Sequence, residues 1–391
     1  MKIMFIWIPA GMNIFGGGEQ VLSTVCNHLT QIGHEISILS MISRKNEPKR
    51  KDWVPPFTDY NNHVDVGYLD GRHLLKYRQS IKYIEKSYKK YLPEIIIISG
   101  NPFMIPPTRR LLQQTESSIK IVYWDHGFLP FFFAPFRNTT LWEILWKLSV
   151  RIPLLNAMKA ADAFFCMSSG ISRIAKRTNP GHMIFTTPNP IKNCSEKIIT
   201  RPQKPIFIFV GRLDNKQKNI SFMLKALSKI GPSNWELIII GEGNDRKVLM
   251  ALSKNLGISD KIKWHGFKTN PFNDLQEVSA LLLTSRFEGF GMVLVEANQR
   301  GIPVISSDCL SGPEDIVIPG INGHLYKEGD MNSFIDLLEK SCNNELPLAS
   351  PEEISKTALR FNEEYTIKPF TSALNFVKKM LNKTPVDINT Q

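Results

Sequence analysis

The stretch "ALLLTSRFEGFGMVLVEANQRGIPVISS", residues 280–307, has the pattern of a buried strand, a turn, a helix and a second buried strand. The runs "ALLLTS" and "IPVISS" are short and almost continuously apolar, which is typical of strands covered on both faces. Between them, Met292 to Gln299 is predicted to form a helix. A unit of this kind predicts a parallel sheet with helices packed against it.

The same unit recurs in two series along the chain, whose 391 residues exceed what one hydrophobic core usually supports. The Pro-rich, polar segment "TTPNPIKNCSEKIITRPQKP" separates the two series and is predicted to be a linker. We therefore predict an α/β protein with two Rossmann-like domains, residues 1–198 and 199–362, that face each other across a deep cleft. Ligands are expected at the carboxyl ends of the strands. The predicted strands are "KIMFIWI", "EISILSM", "EIIIIS", "KIVYW" and "AFFCMS", then "IFIFVG", "WELIIIG", "IKWHGF", "ALLLTS" and "IPVISS".

Composition and cysteine content favour a protein of a reducing compartment. Hydrophobic residues make up 42% of the chain and charged residues 21%, which is ordinary for a globular protein. The five cysteines are odd in number and form no Cys-x-x-Cys pair. The apolar N-terminal run lacks a small-x-small cleavage site, and charged residues and prolines interrupt the most apolar later region. We expect a cytoplasmic protein without a signal peptide or a membrane-spanning helix.

The net charge of +12 is concentrated in the first half of the chain. Residues 1–195 hold 24 Lys and Arg against 13 Asp and Glu, whereas the remainder holds 24 against 23. Basic clusters such as "RKNEPKRK" could contact nucleic acid, anionic lipid or an anionic substrate, or could be solvated helix faces. Because no zinc-finger, RRM or KH signature accompanies them, nucleic acid is the weaker alternative.

Two turns in the first half carry residues that point to a site. The glycines of "FGGGEQVL", residues 15–22, allow backbone N–H groups to approach a phosphate where a helix begins, although tight-turn glycines alone would look the same. In "WDHGF", His126 follows the strand "KIVYW" and is therefore expected at the strand's carboxyl end. A lone histidine is more often structural than catalytic, so both interpretations of His126 remain open.

Two turns in the second half carry charged residues at the same kind of position. In "VGRLDNKQKNISFML", Arg212 offers a planar fork for phosphate oxygens and Lys218 a mobile point charge, although Arg212 could also form a surface ion pair. In the opening stretch, Glu288 precedes the helix and Glu296 lies about two turns into it. Since a helix start attracts anions, the two glutamates are either structural residues or part of a ligand site.

Taken together and in this order, five motifs resemble the retaining glycosyltransferase family 4, which has the GT-B fold. The motifs are "GGGEQVL", "GRLDNKQKN", the two glutamates within "EGFGMVLVEA", "GIPVISSD" and "GPEDIVIPGINGHLY". The resemblance covers most of the chain and is strongest from Val210 to Tyr326. It is weaker in the first half, which holds the acceptor site in such enzymes, so acceptor identity does not transfer. The resemblance also implies that residues 363–391 form a helix that returns to the first domain, with a flexible tail.

The resemblance implies a role for each matching residue. Arg212 and Lys218 would bind the donor diphosphate, together with the backbone of Gly16 and Gly17. Lys218 is chosen over its neighbour Lys216 because Asn219 follows it, as in the family.

In the donor sugar site, His126 and Glu288 would position the sugar and stabilise developing positive charge. The backbone of Phe290, Gly291 and Met292 would contact sugar and phosphate, and Glu296 would accept hydrogen bonds from the ribose. Family members usually need no divalent metal, and no Asp-x-Asp motif is present in this sequence, so we expect no metal and no cofactor.

The sequence therefore predicts a retaining hexosyltransferase that uses a nucleotide sugar, with UDP expected as the nucleotide. The acceptor is expected to be a glycan or a lipid-linked acceptor of cell-surface polysaccharide or lipopolysaccharide synthesis. The alternatives are a nucleotide-sugar epimerase of the same fold and an inactive binding subunit. The inactive binding subunit is disfavoured because all five polar site residues of the family pattern are present.

The first half also predicts peripheral, salt-sensitive association with the anionic inner face of the cell membrane. Excess positive charge there accompanies the aromatic run Phe128 to Phe136. Basic residues beside exposed aromatic side chains bind anionic lipid surfaces. Burial of the same phenylalanines against a helix is the alternative that the sequence leaves open.

Overall fold

The computed structural model describes residues 1–7, 17–43, 63–69, 73–115, 118–133, 140–191, 197–231 and 234–380. By contacts between Cα atoms, the chain divides into two compact units. The first unit comprises described residues within Met1–Pro190 and Glu363–Gln391, and the second comprises those within Ile191–Asn362. No helix in the described ranges is long and apolar enough to cross a bilayer.

The first unit is built on a seven-stranded sheet in the order β3-β2-β1-β4-β5-β6-β7, in which every strand pair is parallel. Its central strands β1 and β4 are almost entirely buried, because helices cover both faces. The strands are β1 (Lys2–Trp7), β2 (Glu35–Ser43), β3 (His63–Leu69), β4 (Ile95–Ser99), β5 (Lys120–Asp125), β6 (Ala163–Cys166) and β7 (Met183–Thr186). The helices are α1 (Gly17–Gln31), α2 (His73–Tyr91), α3 (Ile105–Gln114), α4 (Phe128–Phe133), α5 (Leu141–Met158) and α6 (Ser169–Thr178).

The second unit repeats this plan with a six-stranded parallel sheet in the order β10-β9-β8-β11-β12-β13. The strands are β8 (Ile206–Val210), β9 (Glu236–Ile240), β10 (Ile262–Gly266), β11 (Ala280–Leu283), β12 (Val304–Asp308) and β13 (Gly323–Lys327). The helices are α7 (Asn215–Lys218), α8 (Ile220–Leu227), α9 (Arg246–Asn255), α10 (Met292–Gln299), α11 (Pro313–Ile316), α12 (Met331–Cys342) and α13 (Pro351–Ala358). On one face of this sheet the rings of Phe222, Tyr326 and Phe334 stack on one another.

Three strands lie outside the predicted series: β3, β7 and β13. All three are edge strands, at either end of the first sheet and at one end of the second. Strand β7 has no fully buried residue, and three of the five residues of β13 are not fully buried. Because an edge strand is not covered as completely as a central one, it lacks the continuous apolar run by which the other strands were predicted.

The last helix, α14 (Glu363–Lys379), belongs to the first unit. Its buried residues Ile367, Phe370, Leu374 and Val377 recur at helical spacing. The ring of Phe370 packs 5.0 Å from Trp124 of β5 and 4.9 Å from Phe165 of β6, measured between ring centroids. The helix therefore covers β5 and β6, towards the β7 end of the first sheet.

The described end of the predicted linker is bonded into the second unit. The backbone N–H of Ile199 donates to the carbonyl of Arg300, and that of Val278 donates to the carbonyl of Thr200. Ile199 is 3% exposed. The residues that follow 196 are thus part of the second unit's packing rather than a free connection.

Candidate active site

The candidate site of the second unit is built on the turn between β11 and α10. Glu288 lies in this turn and is 6% exposed. The Lys218 ammonium at the end of α7 lies 2.6 Å from Oε1 of the Glu288 carboxylate, and the side chains are 13% and 7% exposed. The two groups form a largely buried ion pair, whose partners depend on each other because a buried charge without a partner is costly.

Serine hydroxyls hold the Glu288 carboxylate and its backbone in place. The Ser285 hydroxyl donates to the same carboxylate oxygen that Lys218 contacts. The Ser311 hydroxyl donates to the backbone carbonyl of Glu288, and the Ser307 hydroxyl donates to that of Ser285, 2.7 Å away. Within the described part of the chain, both of these hydrogen bonds to the carboxylate reach Oε1 and neither reaches Oε2.

Arg286 joins this turn to α7, the short helix that ends at Lys218. Its guanidinium donates to the backbone carbonyls of Asn215 (2.9 Å) and Lys216 (2.7 Å) and to Oδ1 of Asn219 (2.8 Å). Desolvation by burial lowers the pKa of Arg286, although arginine stays charged at neutral pH. These contacts tie the turn that carries Glu288 to both ends of the short helix that carries Lys218.

Thr284, at the start of the same turn, adds a further contact to the Lys218 segment. Its hydroxyl donates to the backbone carbonyl of Lys218 at 2.9 Å. Asn219 then has a left-handed conformation, with φ of 51°, which separates α7 from α8. The turn before α10 therefore fixes both the backbone and the ammonium group of Lys218.

Arg212 lies in the turn after β8 and is exposed. Its Nη2 atom donates to Oε1 of Gln217 at 3.1 Å. The turn itself is packed against Gly241, where an added Cβ would lie 1.8 Å from the carbonyl oxygen of Gly211. A side chain at position 241 would displace the backbone that carries Arg212, which is a requirement that the sequence analysis missed.

The start of α10 has a backbone arrangement suited to an anion. Gly291 precedes the helix with φ of 94° and, having no side chain, does not cap the first N–H groups. These groups carry partial positive charge. Gly312 packs against the turn so closely that a Cβ there would lie 2.1 Å from the Phe290 carbonyl oxygen. The Phe290 side chain is buried against Phe361, so the backbone of residues 290–292 is what the site can offer a ligand.

Glu296 lies in the second turn of α10 and is partly buried. Its backbone carbonyl accepts a hydrogen bond from Nη1 of Arg300 at 2.7 Å. The helix thus places Glu296 further along its axis than Glu288, as the sequence analysis expected, while the ribose contact stays a prediction.

His126 belongs to the first unit and lies between two tryptophans. Its ring centroid is 5.3 Å from that of Trp7 and 4.4 Å from that of Trp124. The Nε2 atom is buried and has no hydrogen-bond partner among the described residues. Desolvation by burial lowers the pKa of His126 to about 3, so the imidazole is neutral at physiological pH and keeps one donor and one acceptor nitrogen.

The preceding residue, Asp125, fixes the turn that carries His126. Its carboxylate accepts hydrogen bonds from the backbone N–H groups of Gly127 (2.8 Å), Phe128 (2.6 Å) and Leu129 (3.0 Å) at the start of α4. Burial raises the pKa of Asp125 to about 6, and these three bonds oppose that rise. Asp125 therefore has a positioning role that the sequence analysis did not assign to it.

The glycine motif of the first unit is described in part. Gly17 begins α1, whereas Gly16 lies outside the described residues. A Cβ at Gly18 would lie 2.8 Å from the Trp7 ring, the same ring that contacts His126. The glycine turn and His126 thus share Trp7 as a neighbour, while phosphate contacts of Gly16 and Gly17 stay predictions.

No group of three or more His, Cys, Asp and Glu side chains that could hold a metal ion occurs in the described ranges. The expectation that catalysis needs no metal stays a prediction.

Two family models together match almost the whole chain. Residues 191–361 match the model described as Glycosyl transferases group 1, and residues 15–192 match the one described as Glycosyltransferase Family 4. A lipopolysaccharide 1,6-galactosyltransferase of Salmonella typhimurium (strain LT2) is 37% identical over 386 residues, which cover 96% of this chain and 98% of the relative.

The chain belongs to glycosyltransferase family 4.

Further relatives agree with this assignment. A lipopolysaccharide 1,6-galactosyltransferase of Escherichia coli (strain K12) is 40% identical over 195 residues, which cover 48% of this chain and 54% of the relative. The solved structure of a lipopolysaccharide outer core galactosyltransferase, WaaB in its apo form, matches with a TM-score of 0.78 at 26% identity, over 96% of this chain and all of that one. The structure of Anabaena Alr3699/HepE in complex with UDP and glucose matches with a TM-score of 0.71 at 17% identity, over 96% of this chain and 100% of that chain.

These matches confirm the predicted GT-B fold and the predicted enzyme class, a hexosyltransferase. Since the relatives named here are glycosyltransferases, the epimerase alternative receives no support. Within the second unit, the structure brings Lys218 and Glu288 of this glycosyltransferase into direct contact. The residues that orient them, Ser285, Arg286 and Ser311, were missed, although Ser285 and Arg286 lie within the motif that decided the fold.

Proposed function

We propose that this glycosyltransferase transfers galactose from UDP-galactose to a lipopolysaccharide-type acceptor, with retention of the anomeric configuration. The main support for a donor site is the buried contact between Lys218 and Glu288 beside the start of α10. It places a cation suited to a diphosphate next to a carboxylate suited to sugar hydroxyl groups. The choice of galactose is supported by the relative that is 37% identical over nearly its whole length.

In the proposed reaction, the bond between the anomeric carbon of galactose and the diphosphate oxygen breaks. A bond from the acceptor hydroxyl oxygen to the same carbon forms on the same face of the sugar. The acceptor proton passes to the departing diphosphate, so no other base is required. Lys218 and Arg212 stabilise the negative charge that develops on the leaving group, which is the kind of electrostatic stabilisation that usually dominates catalysis.

Glu288 and His126 act on the sugar itself. Oε2 of Glu288 accepts a hydrogen bond from a sugar hydroxyl, and its charge stabilises the oxocarbenium-like transition state. Neutral His126 exchanges a hydrogen bond with a sugar hydroxyl through a nitrogen that has no protein partner among the described residues. Glu296 binds the ribose, and the backbone of residues 290–292 binds sugar and phosphate.

Donor identity is tested by thermal unfolding with a panel of nucleotides and nucleotide sugars, followed by a transfer assay. A ligand present at about 100 times its dissociation constant adds roughly 2.7 kcal/mol to the free energy of unfolding. We expect UDP and UDP-galactose to raise the melting temperature, and linkage analysis of the product to show an α-linked galactose. Stabilisation by GDP alone, or consumption of UDP-galactose that is independent of an acceptor, contradicts the proposal.

The acceptor is proposed to be reached at the cytoplasmic face of an anionic membrane, through peripheral association of the first unit. The support is the excess of Lys and Arg in residues 1–195. Of the aromatic run, Phe132 is buried, whereas Phe128, Phe131 and Phe133 are partly exposed. Phe136 lies outside the described residues. The run therefore offers less exposed apolar surface than the sequence suggested.

A further inference from the structure

The helix α5 presents six exposed, large apolar side chains on one side. Trp142 is 80% exposed and Ile152 is 69% exposed, which is far more than scattered surface residues of a globular protein require. At 100° per residue, all six fall within one half of the helix circumference. We name this surface the α5 apolar face: Leu141, Trp142, Leu145, Trp146, Leu148 and Ile152.

The opposite side of α5 is also largely apolar. Leu154, Ala157 and Met158 are buried there against the first unit. Two polar residues, Ser149 and Asn156, fall within the same arc, and the Ser149 hydroxyl donates to the backbone carbonyl of Trp146. The face carries no charged side chain, and a helix that is apolar on both sides is normally enclosed on both sides. The one acid of the helix, Glu143, is held in a capping box with Thr140.

The two basic residues of α5 also lie off the apolar face. The Lys147 ammonium lies 4.9 Å from the centre of the Phe131 ring, and Arg151 donates to the Phe132 carbonyl at 2.9 Å. The structure describes all of Leu141–Met158. Every charged side chain in this range therefore makes its contacts outside the α5 apolar face.

We propose that the α5 apolar face inserts into the interfacial region of an anionic bilayer. This inference rests on the proposed function and identifies the surface through which the enzyme meets its lipid-linked acceptor. Two of the six side chains are tryptophans, which favour the boundary between water and lipid because one end of the ring is apolar and the other is polar.

The positive charge of the first unit favours an anionic membrane, rather than a second copy of the chain, as the partner of the α5 apolar face. The neighbouring helix α3 packs against α5 and carries exposed Arg110, and α6, which packs against α4, carries exposed Arg173, Lys176 and Arg177. Pairing of two copies through this face would bring two units with excess positive charge together. An anionic leaflet attracts them instead, and the attraction is weakened by salt.

The position of the face suits a lipid-linked acceptor. The ring of Trp146 lies 5.6 Å from that of Phe132 in α4, and α4 begins two residues after His126. Helix α5 also packs on the 3₁₀ turn Pro102–Met104, which follows the carboxyl end of β4. Insertion of the α5 apolar face would therefore hold the sheet edge that carries His126 close to the bilayer surface.

The test compares wild-type protein with the double variant Trp142→Glu/Ile152→Glu in co-sedimentation with vesicles of phosphatidylethanolamine and phosphatidylglycerol. We expect the wild type to bind at low salt and the double variant to bind at least about tenfold more weakly. The reason is that the variant has lost two large apolar side chains whose transfer from water into the bilayer favours binding. The matched control is Val248→Glu, which changes an equally exposed apolar residue of the second unit and should bind like the wild type. Circular dichroism checks that each variant is folded.

A second measurement locates the insertion. Brominated lipids should quench the emission of the wild type, and Trp142→Phe should bind equally well with less quenching. Wild-type binding that is undetectable, that is equal on neutral vesicles, or that the double variant retains overturns the proposal. A wild-type dimer that the double variant abolishes, with vesicle binding unchanged, assigns the face to self-association and overturns it as well. Transfer to a delipidated acceptor tests the proposed function separately, since that reaction needs no vesicle.

Discussion

Lys218 and Glu288 contact each other directly, with the ammonium nitrogen 2.6 Å from a carboxylate oxygen. The proposed reaction assigns them to different parts of the donor, the diphosphate and the sugar. Without donor, each neutralises the other in a site where both are largely buried. A bound donor must therefore either interact with both groups while they stay in contact or take the place of one of them. The pair is expected to contribute to the stability of the fold as well as to activity.

We expect Lys218→Ala to lower the free energy of unfolding by about 3–5 kcal/mol, because it leaves a buried carboxylate without its partner. The double variant Lys218→Met/Glu288→Gln should recover most of that stability while remaining inactive. Urea unfolding followed by circular dichroism measures the first effect, and sugar transfer measures the second. A single variant as stable as the wild type would show that the pair is not coupled to folding.

Arg212 is expected to act on turnover and not on stability, because its side chain is exposed and has one hydrogen bond to Gln217. Arg212→Ala should reduce turnover by about 10²–10³-fold, the usual effect of removing one transition-state donor. The matched control is Lys216→Ala, which removes an exposed charge of the following helix α7 and should leave turnover nearly unchanged. The reverse ranking of the two variants contradicts the assignment of the diphosphate site.

Arg286 is expected to be a positioning residue. Arg286→Met removes three hydrogen bonds to the two ends of α7 and should raise the KM for the donor and lower kcat by about tenfold, at a cost of roughly 1–3 kcal/mol in stability. Arg286→Lys should recover part of both parameters, because an ammonium can still donate to a carbonyl. If Arg286→Met changes stability alone, the contact is structural and has no bearing on the donor site.

His126 and Asp125 should give opposite pH dependences of stability. The pKa of His126 falls from 6.5 to about 3 on folding, so its contribution is present above pH 6.5 and is lost as the pH falls. The pKa of Asp125 rises from 3.8 to about 6, so its contribution is present below pH 3.8 and is lost as the pH rises through 6. Between pH 6 and pH 4, the stability of the wild type relative to His126→Gln should fall by about 1.4 kcal/mol per pH unit. Urea unfolding at several pH values measures this slope, and a flat difference contradicts burial of the imidazole.

The central strands could be predicted because burial on both faces requires continuous apolar runs such as "EIIIIS". The edge strands β3, β7 and β13 could not, because partial exposure removes that pattern. In the site, Lys218 and Glu288 were found through motifs. The role of Arg286 was not found, because its partners are backbone carbonyls about 70 positions away in the chain, and backbone atoms leave no signal in a sequence.

The proposed membrane-binding surface could not be predicted from the sequence either. The sequence draws attention to the run from Phe128 to Phe136, but packing between α4 and α5 buries Phe132 and leaves Trp142 exposed. Because α5 is apolar on its buried side and on its exposed side, its periodicity does not indicate which side faces outward. That choice is made by the packing of α3 and α4 against it.

A single guanidinium group joins the two halves of the proposed donor site, since Arg286 belongs to the turn that carries Glu288 and binds the helix that ends at Lys218. A substitution that reshapes this turn to accept a different sugar must also move Lys218, the group proposed to bind the diphosphate. Variants selected for a new donor sugar should therefore lose affinity for free UDP in parallel. Broad donor tolerance in this enzyme would be accompanied by weaker product inhibition.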